Sequence, residues 1–363
     1  MSKQKEYLSS RYSNYLAPEA IVWVNNTKLS KEWLYFTNLE VNKSLDGADI
    51  FSFTISDAID LEFESKHHNL FELGKEVEIH IGYADSHKNK SELSMLFKGR
   101  ITKVNWEFSE NNYLDITIEG SDNSFLLMKK PYKESIRDVS ISEAVKRIIS
   151  KKYNSIFKKI FIEQTEVKYK QIENQEQNDY LFIKSLAKKC GYEFFVDGDS
   201  LYFRSPPQRQ KSLLTLLYGQ EILGFKPELN VEKEVSKVKV VGLEMSSDKK
   251  PIVGEATCRD TSVGMKAILK KLDEVEHVVK EPVKSAKEAQ ERAEAILQEL
   301  TISSSLKGEV KSIGIPDLRP GITISLQGLG KRFSSDYYIQ KAVHSFGEQG
   351  YETTIEVRRV KRC

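Results

Sequence analysis

The chain has 363 residues, is 39% hydrophobic and 30% charged, and carries a formal net charge of +2. At roughly 100–200 residues per domain this predicts two to four domains. Lys and Glu are interspersed along its length as on solvated faces, which argues against a nucleic-acid binder, and no run approaches the ~18 apolar residues of a membrane helix. Its three cysteines, Cys190, Cys258 and Cys363, are widely spaced with no CxxC. That predicts neither a disulfide framework nor a zinc site, and synthesis in a reducing compartment. The opening MSKQKEYLSSRYSNYL has no apolar stretch of the kind a secretion signal needs.

The first block is β-rich. AIVWVNN and DIFSFTISD read as strands, and VEIHIGY alternates strictly, with Val77, Ile79, Ile81 and Tyr83 on one face. LFKGRITKVNWEF changes parity between Ile101 and Val104, which predicts a bulge. Asn111-Asn112 reads as a turn before YLDITIEG. These strands predict a small sandwich or barrel over 17–128.

The pattern then changes to a compact α/β unit over 129–206. In VSISEAVKRIISKKY, Ser140 and Glu143 form a capping box and Ile141, Ala144, Val145, Ile148 and Ile149 one apolar stripe. KKIFIEQ reads as a strand. The polar run QIENQEQ precedes a second helix, with Asn178 or Asp179 as its N-cap and Phe182, Ile183, Leu186, Ala187 and Cys190 on one face. Gly191 stands where a left-handed residue ends a helix. Asp197-Gly198-Asp199 folds a hairpin between YEFFV and SLYFR.

Strands return in LLTLLYG and VSKVKVVGLE. A polar section and a second capping box, Ser285 with Glu288, lead into the helix SAKEAQERAEAILQEL. Pro320-Gly321 suits a type II turn before ITISL, and DYYIQKAV and TTIEVRR alternate as strands. The domains are therefore set at 17–128 (β), 129–206 (α/β), 207–243 with 304–360 (β), and an insertion over 244–303 carrying a helix at 285–300.

No motif carries chemistry. GLGKRF lies between two strands and opens no helix, unlike a phosphate cradle. The adjacent His67 and His68 would point to opposite faces of a strand, and HExxH is absent, so no metal site is assigned. Cys190 on an apolar face reads as a structural thiol. Glu173, Glu176 and Asp179 could serve a hydrolase as paired carboxylates, and the aromatics a glycan-binding surface. At a helix start, however, negative charge serves the helix dipole. The residues therefore favour a non-enzymatic protein with no catalytic, cofactor or metal residue, and a cell-wall hydrolase or carbohydrate-binding tail module is the alternative.

Four stretches in order resemble the hub family of contractile-tail baseplates, which includes phage late control protein D, myophage hubs and the N-terminal part of the valine-glycine-repeat protein (VgrG). They are LGKEVEIHIGY with LFKGRITKV and LDITIEGSD; QNDYLFIKSLAKKCGYEFFVDGDSLYF; SAKEAQERAEAILQEL; and LRPGITISLQGLGKRFSSDYYIQKAVHSFGEQGYETTIEVRR. The resemblance implies a β-rich α+β fold. Two small tail-tube-like β-barrel domains flank an α/β domain, and a helical insertion lies in the second barrel region. It implies a homotrimeric, pseudo-sixfold ring joining a hexameric tail tube, or a tube-initiator protein, to a trimeric central spike among other baseplate proteins. Strands 77–83 and 322–326, with Ile322 and Ile324, would match as tube-wall strands, and Asp179, Phe182, Gly191, Asp197, Gly198, Pro320 and Gly321 carry the structural signature. It also implies synthesis in a bacterial cytoplasm without a signal peptide and assembly into a virion tail or contractile particle, with the spike either a separate protein or a further part of a longer, spike-fused chain. The tip hub of an effector-delivering secretion system is a further alternative.

Overall fold

The computed structural model describes residues 8–29, 36–55, 69–84, 93–108, 114–206, 211–230, 235–245, 251–258 and 275–360. His67, His68 and Asn111-Asn112 lie outside them. The protein is a β-rich α+β fold whose main feature is a curled thirteen-stranded sheet. From one free end the strands run Ile222–Glu228, Lys307–Ile313, Gly350–Arg359, Ser335–Gly347, Phe36–Ser44, Ile50–Ile55, Leu114–Ser121, Ser94–Phe108, Glu76–Tyr83, Pro18–Val24 and Thr27–Lys28. Thr323–Gln327 branches off the start of Ser335–Gly347 and carries Leu214–Leu217 in parallel.

The two β modules read from the sequence are thus halves of one sheet. Strand Ser335–Gly347 joins them. Its first part pairs Tyr337 and Tyr338 with Ile324 and Thr323. After a register shift between Ile339 and Lys341, its second part pairs Lys341 with Ser44 through to Phe346 with Leu39. A single apolar core follows, running from Val22, Phe53 and Ile79 to Ile324, Ile339 and Ile355. The bulge predicted between Ile101 and Val104 is a register shift between Ile101 and Lys103.

The α/β unit has its own core, built on helices Ile141–Lys152 and Asp179–Cys190. Ser140 and Glu143 form the reciprocal capping box, and Asn178 caps the second helix through Leu181 N–H. One reading needs correction here. The polar run Gln171–Gln177 does not simply lead into the helix. It is part of strand Lys168–Gln177, paired antiparallel to Tyr132–Ser140, and alternation buries Ile172 and Asn174 while Glu173 and Gln175 face out. This strand is illegible by apolar alternation because Tyr169 and Ile172 are its only apolar residues.

The insertion forms a third unit, and its boundary also moves. Strand Lys237–Met245, expected in the second barrel, pairs instead with Pro251–Thr257 and Glu276–Glu281 in a separate three-stranded sheet. Helix Ala286–Ser303 packs on that sheet through Ala289, Ala293, Ile296 and Leu297. Ser285 accepts from Glu288 N–H, but the Glu288 carboxylate accepts from Lys284 N–H, one residue before the expected partner. Cys258 is disulfide-bonded, which corrects the expectation of a chain without disulfides. Cys190 is a free thiol that burial pushes up to about 12.

Close approach of helix and sheet in the insertion rests on Gly254. A Cβ there would stand 2.2 Å from the Ala289 carbonyl carbon and 2.3 Å from Gln290 N, both backbone atoms. Gly254→Ala is expected to destabilise the protein by about 1–3 kcal/mol through overpacking. Urea unfolding measures the loss, and hydrogen exchange should place it in strand Pro251–Thr257.

Candidate functional site: the junction of the units and the free sheet edges

The junction begins with a lysine at core parity. In strand Phe36–Ser44, Leu39, Val41 and Lys43 all point inward. The Lys43 ammonium is 2.7 Å from Asp49 Oδ2 and 2.8 Å from Asp197 Oδ1, and donates to Leu96 O at 3.2 Å. Its side chain is 2% exposed and that of Asp49 3%. Burial pulls the amine down, but Asp49 and Asp197 outweigh it and hold it above its usual value. Burial pushes the Asp49 carboxyl up, opposed by Lys43 and by Ser44 N–H at 2.9 Å. We assign the ionised pair, because Lys43 meets two carboxylates and a carbonyl.

Asp197 arrives from the Asp-Gly-Asp hairpin of the α/β unit. Gly198, at φ +58°, makes the turn against Met95. Arg319 approaches the second oxygen of Asp197 at 3.7 Å and donates to Met95 O at 2.6 Å. Burial would raise the Asp197 carboxyl, but Lys43 and Arg319 hold it below its ordinary value. Asp199 lies 3.5 Å from Lys98, which also binds Glu78 at 2.6 Å and Glu76 at 3.1 Å. One hairpin tip therefore ties the α/β unit to both halves of the sheet.

A second set of contacts continues the seam. Glu193 accepts from Tyr338 OH at 2.5 Å, and burial pushes its carboxyl up. Arg204 lies over the rings of Phe195 and Tyr202 and donates to Gly321 O at 2.8 Å. That contact needs the Pro320-Gly321 turn, where Gly321 is at φ +86° and a Cβ would meet Arg204 at 3.0 Å. Tyr180 OH accepts from Gly47 N–H, and Lys184 donates to Leu45 O.

Two buried titratable groups lie against this seam. His344 shares its Nδ1 with Tyr351 OH at 2.9 Å and its Nε2 with Leu318 O at 3.0 Å. Burial, with Lys43 and Arg319 nearby, pulls the imidazole down to about 3. Asp122 accepts from Ser124 N–H at 3.0 Å, and burial beside Asp49 pushes its carboxyl up to about 7.

The other sequence-derived residues are placed as follows. Val77, Ile79, Ile81 and Tyr83 are buried core side chains of strand Glu76–Tyr83, which lies between two neighbours rather than at an edge. Ile324 is fully buried in Thr323–Gln327 and Ile322 packs partly buried beside the same core. Phe182 is in the α/β core. Gly191 is left-handed at φ +71° and lets helix Ala286–Ser303 approach, since a Cβ would meet Ala295 Cα at 3.2 Å. Asp179 is no N-cap. Its carboxylate, 4% exposed, accepts from Tyr132, from Tyr153 at 2.6 Å and from Lys152 at 3.0 Å. The acidic trio is dispersed in role: Glu173 is exposed on a strand, Glu176 pairs with Lys133 on the surface, and Asp179 is a buried tie. Lys43, Asp49, Arg319 and His344 were missed in the sequence. A lysine two residues beyond Val41 at core parity was the available signal.

Among the described residues no group of three or more His, Cys, Asp and Glu is placed to hold a metal ion, and no helix is long and apolar enough to cross a membrane. Among the described residues the sheet has two free ends. At one, strand Pro18–Val24 is covered only near Val24 by Thr27–Lys28. At the other, Ile222–Glu228 pairs on one side, and its bulged Leu223 is 50% exposed.

The family model described as Alg8 N-terminal domain matches residues 17–348. No curated protein matches the sequence. Among solved structures, a 43 kDa tail protein of prophage MuSo2 from Shewanella oneidensis is 13% identical, with a TM-score of 0.69 over 95% of this chain and 99% of that one. A tail protein from Neisseria meningitidis is 12% identical, with a TM-score of 0.68 over 94% and 97%. A type VI secretion component from E. coli, described as similar to the T4 tail proteins gp27 and gp5, is 14% identical, with a TM-score of 0.57 over 90% and 74%. At such identities the likeness is one of fold.

Two outcomes follow from the buried charges. Removing the Lys43 amine leaves two carboxylates facing each other, so Lys43→Ala should cost about 3–5 kcal/mol in urea unfolding. His344 is neutral in the fold, so the unfolded chain takes up its proton first. Its stabilisation is complete above about pH 6.5 and is lost as pH falls towards 3. Asp122 acts oppositely, because its raised folded value favours the fold at low pH and that gain is lost as pH rises from 3.8 through about 7. Asp122→Asn should therefore lose stability more steeply than the parent between pH 7 and pH 4, as urea midpoints across that range would show.

Proposed function

We propose a structural role for this chain, which belongs to the Alg8 N-terminal domain family: it is the hub of a contractile-tail baseplate. Three copies form a pseudo-sixfold ring that accepts the hexameric tail tube on one side and a trimeric spike on the other. The observation that carries this reading is the single curled sheet of two joined β modules with, among the described residues, a free edge at each end. Each copy offers two tube-like units, so three copies match six tube subunits. A head-to-tail contact between the opposite edges closes after three copies and covers backbone groups that would otherwise invite misassembly.

The likeness to phage tail proteins supports a non-enzymatic part of the particle. The dispersal of Glu173, Glu176 and Asp179 counts against a hydrolase. Strands Glu76–Tyr83 and Thr323–Gln327 would contribute to the wall through the faces opposite their core residues, with Glu76, Glu78 and His80 on the first. The likeness to the type VI component supports the same geometry at the tip of an effector-delivering machine.

Native mass spectrometry of the purified chain, alone and with its spike and tube partners, tests the ring. A species of three chain masses is expected. Leu223→Lys places a charge in the free edge without touching the core, and should weaken association about tenfold per contact while circular dichroism is unchanged. A chain that stays monomeric with both partners present would refute the hub.

A further inference from the structure

Strand Ser94–Phe108 outruns its neighbour. Glu76–Tyr83 pairs with it only as far as Arg100, and Gly74 N–H donates to Ile101 O at 2.8 Å. Beyond that point it pairs with Leu114–Ser121 on one side. Among the described residues no strand lies along the other side of Lys103–Phe108, an open edge about 20 Å long. Directly opposed residues of a strand pair share a face. Val104, Trp106 and Phe108 therefore lie on the core face, opposite Ile118, Ile116 and Leu114. Val104 still packs on the core, but Trp106 is 58% and Phe108 79% exposed. The apolar stripe of the core runs on past the core itself. An indole and a phenyl ring in line on an unpaired edge invite association unless something covers them.

The other face of this projection is acidic. Lys103 and Asn105 both bind Glu119, at 3.0 and 3.2 Å. Glu107, however, stands directly opposite Asp115, with no cation against either among the described residues. Like charges in that position weaken a strand pair. The complement lies at the far end of the sheet. There Tyr218 bridges to Ile222, Tyr218 N–H donates to Gln327 O at 3.0 Å, and Phe333 meets Phe225 edge-on at 6.2 Å. These contacts gather exposed Leu217, Tyr218 and Leu223 beside Lys331 and Arg332 of the short helix Gly330–Phe333. Both cations are exposed and meet no carboxylate among the described residues.

We propose that Trp106 and Phe108 of one copy cover Leu217, Tyr218 and Leu223 of a second copy, with Glu107 and Asp115 set against its Lys331 and Arg332. The inference rests on the ring proposed above and names the contact that closes it. A second copy is the occupant because one chain carries both halves of the match. The aromatic edge with its carboxylates is in the first half of the sheet, and the aliphatic patch with its cations is in the second. Their exposure shows that a single copy does not join them. Each copy gives one surface and receives the other, which is the heterologous contact a closed ring requires. Burial of a central indole anchor supplies affinity, and the opposed charges set the register.

Sedimentation equilibrium of the purified full chain measures the contact by itself. Trp106→Ala should weaken self-association about 30-fold per contact, with circular dichroism unchanged. Glu107→Lys with Asp115→Lys replaces one like-charge pair by another, so the urea midpoint should hold. Against Lys331 and Arg332 of the next copy it should lower association by at least about tenfold. Adding Lys331→Glu with Arg332→Glu should restore it. Association that survives Trp106→Ala, or that the four reversals together fail to restore, overturns the contact and leaves the ring standing. A parent that is monomeric at every concentration also overturns it, while the ring is decided separately by the mass of the complex with spike and tube.

Discussion

The molecule depends on one buried ammonium. Lys43 lies where its neighbours Leu39 and Val41 are core residues, and a charge there is tolerated only if counter-charges come to it. Asp49 comes from the next turn of the same module, Asp197 from the α/β unit, and the carbonyl of Leu96 from across the first half of the sheet. Arg319, from the second half, meets the other oxygen of Asp197. Lys43 and Asp49 pair within the first half, but Asp197 and Arg319 meet their counter-charges only across the junction. The cluster therefore specifies how the three parts sit together, as apolar packing alone would not.

Local signals were legible where short-range physics decides them. The capping box at Ser140, the left-handed Gly191, the hairpin at Asp197-Gly198 and the bulge after Ile101 each follow from spacing that one or two hydrogen bonds or a φ angle enforces. Legibility failed where the partner is distant. Strand Lys237–Met245 alternates well, but alternation says only that a strand has a buried face, not which sheet it joins. Nothing near Lys43 in sequence announces Asp197, and the joining of two modules into one sheet rests on a register between residues at opposite ends of the chain. The acidic look of Gln171–Asp179 misled because composition hides alternation: Glu173 and Asn174 are neighbours in sequence and face opposite ways.

The same sheet explains why strands Glu76–Tyr83 and Thr323–Gln327 cannot present their apolar side chains. Val77, Ile79 and Ile81 are the core, as is Ile324, so contact with other molecules falls to the opposite faces and the two open edges. Glu76, Glu78 and Lys98 give the first of those faces a paired charge pattern.

The pairing of Phe36–Ser44 with the far half of Ser335–Gly347 has a consequence for synthesis. The two strands are roughly 300 residues apart, a contact of very high order. At about 5–20 residues per second a ribosome needs on the order of 15–60 s between them. The α/β unit and the insertion, each with its own core, are complete before the second strand emerges. Through that interval the first strand is exposed along one side, and Lys43 keeps a charge in it that discourages pairing with another nascent chain. The residue that later centres the folded protein thus first guards the unfinished one.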